Sequence, residues 1–184
     1  MNKHFTLTII GAILLAGGVS TASAEEGFFS WLTSYSRQKE IAPMTDAVYN
    51  KECGSCHFPY QPGLLPEASW RQLMEPKAMG QHFGDSAELD EATRVHILNL
   101  MVAESADKSY RKRSRKIMAS LGTDIAPKRI TDVPYIKGKH DEIPEALTKK
   151  NDQVKSLSYC NKCHQKAAEG IFDDDTVVIP GKGR

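Results

Sequence analysis

The sequence predicts a mainly α-helical chain organised as two small units, and three observations carry that expectation. Apolar residues recur at helical spacing in several short segments between residues 45 and 121. The pentapeptide Cys-x-x-Cys-His occurs twice, at 53–57 and 160–164, and the two copies contain all four cysteines of the chain. A length of 184 residues leaves room for one ordinary domain or two small ones, and the C-terminal third holds little apolar material with which to build a core unaided.

The chain opens with the layout of an export signal. Lys3 supplies the positive end, an apolar run goes from Phe5 to about Val19, and Ala22-Ser23-Ala24 provides a small-x-small cleavage site. A membrane anchor needs about 20 apolar residues, and Gly17-Gly18 followed by Ser20-Thr21 cuts this run short. The mature chain is therefore expected to begin near Glu25 and to reside in the periplasm. Removing Lys3 from the 24 basic residues leaves 23 against 23 acidic ones, so there is no bulk electrostatic case for nucleic acid.

In an oxidising compartment four cysteines ordinarily suggest disulfides, but their spacing here points elsewhere. Each Cys-x-x-Cys pair is followed at once by a histidine, the pattern of covalent c-type haem attachment. Two thiols add across the two vinyl groups of one haem, and the adjacent histidine reaches the iron from the same side. The expected attachment residues are thus Cys53 and Cys56 for one haem c and Cys160 and Cys163 for a second, with His57 and His164 as proximal ligands. A zinc site built from paired C-x-x-C motifs gives no reason for the matching positions of His57 and His164. A thioredoxin-like site needs a strand before the motif, where residues 46–52 read as helix.

Along the chain, Phe28, Phe29, Trp31, Leu32 and Tyr35 read as a short aromatic helix laid over a core, with contact to a membrane or a partner as the alternative. Thr45 or Asp46 caps a helix running into the first motif. Residues 58–63 form an irregular turn, a short helix starts near Pro66, and Met79 to Gly84 is loop-like. Asp90 caps a helix to about Ser105, with Ile97, Met101, Leu98, Val102 and Val95 on one side, Arg94 as the exception, and His96 opposite. Asp107 to Leu121 reads as a further helix with Tyr110, Ile117, Met118 and Leu121 in one stripe and Gly122 as its stop. It carries the dense basic cluster Lys108, Arg111, Lys112, Arg113, Arg115 and Lys116, a solvated face or a docking patch for an acidic redox partner. Beyond Pro127 come an extended piece near Arg129 to Thr131, a loop from Pro134 to Pro144, a helix from about Ser156 to Ala168 and a short strand at Thr176 to Ile179.

The run Glu52 to Phe58, continuing through Tyr60-Gln61-Pro62-Gly63-Leu64-Leu65-Pro66 to Ser69-Trp70, resembles the bacterial dihaem cytochrome c family. So do His82-Phe83-Gly84, Lys139 to Pro144, Cys160 to His164 with Gly170, and Val178-Ile179-Pro180. The resemblance covers most of residues 45–180. It implies a first domain similar to a small monohaem cytochrome c, a second, minimal haem domain, and histidine on both faces of both irons. It also implies partners of two classes, a small high-spin, oxygen-binding c-type cytochrome and a membrane cytochrome b. The expected organisation is a signal at 1–24, an extension at 25–44, haem domain 1 at 45–106, a connecting basic helix at 107–127 and haem domain 2 at 128–184.

Five histidines remain in the mature chain, so His82, His96 and His140 compete for two distal positions. Methionine is the other common sixth ligand, and Met74, Met79, Met101 and Met118 lie between the motifs, where gap-filling is their ordinary task. His82 lies 25 residues beyond His57 in a glycine-flanked loop, and His140 lies 20 residues ahead of Cys160 between Gly138 and Pro144. Both loops have the freedom to aim a side chain at an iron, and the resemblance points to the same two positions. An inward His96 would turn an apolar helix face to water. A carbonyl from the irregular backbone at Pro59 to Pro66 could orient a haem-ligating histidine. The functional expectation is electron transfer without substrate chemistry. A peroxidase-like dihaem enzyme or a ligand sensor would each need one open iron.

Overall fold

The computed structural model describes residues 39–123 and 125–182, which lie in one compact unit. The expected signal and the aromatic segment after it fall outside the described residues. Helix α1, Ala47–Gly54, begins where Asp46 accepts the Tyr49 N–H at 2.8 Å, satisfying one of the amide donors that every helix start leaves open. The Tyr49 ring is buried and its hydroxyl donates to the Tyr60 carbonyl at 2.7 Å, which ties α1 to the turn after the first motif.

A single 3-10 turn at Pro62–Leu64 leads into α2, Glu67–Leu73, and a four-residue helix α3, Pro76–Met79. Trp70 fixes this corner, since its buried indole N–H donates to the carbonyls of Pro62 and Leu65 at 2.8 and 3.1 Å. Helix α4, Glu91–Ala103, is capped by Asp90 as expected and packs on α2 and α1. Its buried face is rotated from the expected one. Ile97 and Met101 are buried, but Val95 is exposed, and Arg94 turns inward to donate to the Met74 carbonyl at 2.8 Å while pairing with Glu91.

The basic helix is shorter than predicted. Helix α5 spans Lys112–Ser120, and Tyr110, expected in its apolar stripe, stands outside it at 94% exposure. The buried face of α5 is Arg113, Ser114 and Ile117. Ser114 donates to the Gly63 carbonyl at 2.9 Å, an approach that glycine permits because a Cβ there would sit 2.7 Å from Ser114 Oγ.

From Ile130 onward the chain is mostly single turns. The expected extended piece at 129–131 is a 3-10 turn, Ile130–Asp132, and the expected loop from Pro134 starts as a five-residue helix, α6, Pro134–Gly138. The helix predicted for 156–168 is two separate 3-10 turns, Cys160–Lys162 and Ala167–Glu169. No strand forms at 176–179; one isolated bridge joins Val177 to His164. These segments have little apolar periodicity, so nothing in them propagates a helix beyond the first costly turn. One apolar cluster, from Ile41 and Tyr49 through Met101 and Ile117 to Ala167 and Phe172, crosses both boundaries expected at 106 and 127. Buried Gln61 reinforces it by donating to the Ala167 carbonyl at 2.5 Å.

Candidate haem centres

The last turn of α1 carries Cys53, and the chain leaves the helix through Cys56 and His57. The His57 Nδ1–H donates to the Phe58 carbonyl at 2.7 Å, which places the proton on Nδ1 and leaves the Nε2 lone pair for a metal. The anchoring carbonyl is thus the one just before the expected proline-rich stretch. His57 also stacks on Tyr60 at 4.7 Å between centroids. Facing it is His82, 6.3 Å away with the ring planes 25° apart. The loop that aims His82 is a tight one: a bridge to Asp85 closes it, and Phe83 and Gly84 adopt positive φ of 56° and 109°. Burial, with smaller contributions from His57 and Arg129, lowers the pKa of His82 and so favours the neutral form that ligates metals.

The second motif repeats the arrangement with different parts. Its 3-10 turn carries Cys160, the His164 N–H donates to the Cys160 carbonyl at 2.8 Å, and Val178 N–H ties to the Cys163 carbonyl at 2.9 Å. His140, just past α6, donates from Nδ1–H to the Ile136 carbonyl at 2.7 Å and faces His164 at 6.0 Å, with the ring planes 67° apart. Burial, followed by His140 and Arg113, pushes the His164 pKa down to about 4, and its Nδ1 is buried without a hydrogen-bond partner.

Two imidazoles that ligate one metal from opposite sides have centroids about 6 Å apart, because each metal–nitrogen bond is about 2 Å. Both pairs meet that spacing. All four cysteines are free, and burial pushes the thiols of Cys53 and Cys160 up to about 11 and about 12. All four histidines and all four cysteines line one cavity of about 850 Å³. Tyr60 and Tyr159 stitch its two ends, donating to the Ser158 and Cys56 carbonyls at 2.8 and 3.4 Å. Among the described residues no group of three His, Cys, Asp or Glu side chains is placed to hold a metal ion by itself. The residues fit two haem groups, each on one cysteine pair and between one histidine pair.

The family model for dihaem cytochrome c matches residues 49–172. The chain belongs to the dihaem cytochrome c family. Two solved structures are similar to this dihaem cytochrome c. The diheme cytochrome c of Shewanella baltica OS155 is 38% identical, aligns over 75% of this chain and 95% of its own length, and has a TM-score of 0.60. The diheme cytochrome c of Rhodobacter sphaeroides is 37% identical over 72% of this chain and 100% of its own, with a TM-score of 0.61. No curated protein matches. As a member of the family the chain carries two covalently bound haem c groups and has the character of an electron-transfer protein.

His96, the third histidine candidate, lies away from this cavity. Its exposed ring donates from Nε2 to Asp46 Oδ2 at 3.0 Å and so supports the cap of α1. Met74, Met79 and Met101 are buried and line the cavity as packing; Met118 does not reach it. Arg113, expected on a solvated basic face, is buried and lines the cavity. Its i, i+4, i+8 relation to Ile117 and Leu121 was the available signal. Its neighbours are also engaged with the protein, Lys108 with Glu67 at 2.7 Å, Arg111 with the Lys39 carbonyl at 2.9 Å and Lys116 over the Tyr135 ring.

Proposed function

We propose that this dihaem cytochrome c is an exported one-electron carrier in which both irons are closed by paired histidines, His57 with His82 and His164 with His140. The facing of each histidine pair at 6.3 and 6.0 Å inside a shared cavity is the observation that carries this reading. Bound haem supplies reversible one-electron chemistry. The chain does the rest. Cys53, Cys56, Cys160 and Cys163 hold the groups; the Phe58 and Ile136 carbonyls fix the ring planes of His57 and His140; Trp70, Met101 and the other apolar lining residues keep water out. Two closed irons leave no coordination position for a peroxide or gaseous substrate, and paired histidines set potentials below those of a histidine–methionine centre. The partners that suit such a carrier are a small high-spin c-type cytochrome on one side and a membrane cytochrome b on the other, in the periplasm. No helix among the described residues is long and apolar enough to cross a membrane.

Visible and paramagnetic resonance spectra of the purified holoprotein test the reading. Both haems are expected to be low-spin. His82→Ala and His140→Ala should each convert one haem of the pair to high spin, while His96→Ala leaves both unchanged. A substantial high-spin haem in the unaltered protein would overturn the carrier reading in favour of a peroxidase-like enzyme or a sensor with an open iron.

A further inference from the structure

A buried ion pair stands behind the second centre, and among the described residues the first has no counterpart. Arg113 and Glu40 are 9% and 6% exposed and meet at 2.5 Å. Every part of the pair is anchored. Glu40 Oε2 accepts from Arg113 Nε and Nη2 and from the Phe172 N–H at 3.1 Å, and the Glu40 backbone N–H donates to the Gly170 carbonyl at 2.8 Å. Arg113 also donates to the Phe172 carbonyl at 3.2 Å and to the Tyr135 hydroxyl at 3.3 Å. Its guanidinium lies 5.6 Å from the Phe172 ring, which is itself 5.3 Å from the His164 ring.

The pair is oriented. Arg113 lines the cavity and Glu40 does not, so the positive pole faces the second centre and the negative pole lies behind it. Lys112 Nζ, also near Glu40, is 4.0 Å from Oε1 and largely exposed. A buried pair of this kind contributes little net stability, because the desolvation of two charges offsets their attraction. A field that salt screens poorly is what such a pair does supply.

We propose that the Glu40–Arg113 pair is a potential-setting element for the haem held by Cys160 and Cys163, with Arg113 raising that haem's reduction potential and Glu40 moderating the increase. The inference rests on the carrier reading and adds a residue pair outside the ligand sets. Reduction adds one electron and lowers the charge of the centre by one, so a nearby cation favours the reduced form and an anion disfavours it. Arginine keeps its charge at every physiological pH. Tyr135, Phe172 and Glu40 occupy its donors, so it acts here as a fixed charge and a positioning residue.

The test is a spectroelectrochemical titration of the holoprotein resolved into two one-electron waves, with the second haem's wave assigned by the upward shift that His140→Met produces. Arg113→Gln should move that wave to lower potential, and Glu40→Gln should move it to higher potential. Arg113→Lys should stay near the unaltered value, and the first haem's wave should not move in any variant. Waves that shift in the same direction for both Gln variants would reflect loosened packing and overturn the proposal; so would waves that do not move. If Arg113→Gln fails to accumulate, Glu40→Gln decides alone, and a static or falling second wave sinks the idea. Low-spin spectra recorded on the same samples test the ligand assignment separately from the potential.

Discussion

Around Cys53, Cys56 and His57 the chain supplies helices: α1 leads into the motif, α2 and α4 pack beside it, and Trp70, Leu65, Ile97 and Met101 are buried among them. Around Cys160, Cys163 and His164 it supplies single 3-10 turns, none with a side-chain cap, and long-range polar ties. Examples are Asn151 Nδ2 to the Pro180 carbonyl at 2.7 Å, and the Glu40 and Ile41 amides on the Gly170 carbonyl at 2.8 and 3.2 Å. The same five-residue chemistry is therefore held in two ways. Each large apolar side chain buried in the first region is worth about 1.5–3 kcal/mol, and a capped helix adds cooperativity. Isolated turns have poor hydrogen-bond geometry and no cooperativity of their own, so the second region relies more on its covalent cofactor and on ties to residues 39–41 and α5.

The largest effect expected from this difference concerns attachment. Cys160→Ala should open residues 128–182 to protease much more than Cys53→Ala opens the first region, with cleavage faster by about tenfold or more, equivalent to about 1.4 kcal/mol of local opening. Limited proteolysis alongside haem content measures both. Equal sensitivity of the two variants would break the comparison.

Next in size is Gly170→Ala. Gly170 has φ of +77°, and a Cβ there would clash with the Ile41 carbonyl oxygen, so the strap of residues 39–41 must move away. A loss of about 3 kcal/mol is expected from backbone strain and the displaced contact together. Chemical denaturation measures it, and the second haem's spectrum should change before the first's. A neutral substitution would mean that the strap contributes nothing to the second centre.

The smallest effect belongs to the first region. Asp46→Ala removes the α1 cap and should lower the melting temperature by a few degrees, whereas Asp46→Asn largely preserves it at neutral pH. The Tyr49 N–H, and secondarily His96, hold the Asp46 carboxyl below its ordinary value. A lowered carboxyl pKa contributes stability above the unfolded value and loses it as pH falls through the folded one. The advantage of Asp46 over Asn should therefore fade below about pH 4. A cap effect that persists unchanged in acid would place its origin in the hydrogen bond alone.

Local chemistry accounts for what the sequence by itself determined. Two thiols and a histidine at a set spacing declare a covalent haem site wherever they fold, and Asp46 and Asp90 mark helix starts because capping involves only residues three apart. His82 and His140 stood out as histidines on loops beside glycine or proline, and the structure sets them opposite His57 and His164. Tertiary contacts decided the rest. Arg94 turns in and Val95 out because the Met74 carbonyl offers Arg94 a partner. Arg113 is buried because Glu40, 73 residues earlier in the chain, neutralises it, and no local pattern announces a partner at that distance. Residues 156–168 have too little apolar periodicity to propagate a helix, and ties to Val177, Val178 and Gln61 fix where their separate turns lie. Helix periodicity reports which residues share a face; which face is buried, and what charge it can carry there, depends on the partner that folds against it.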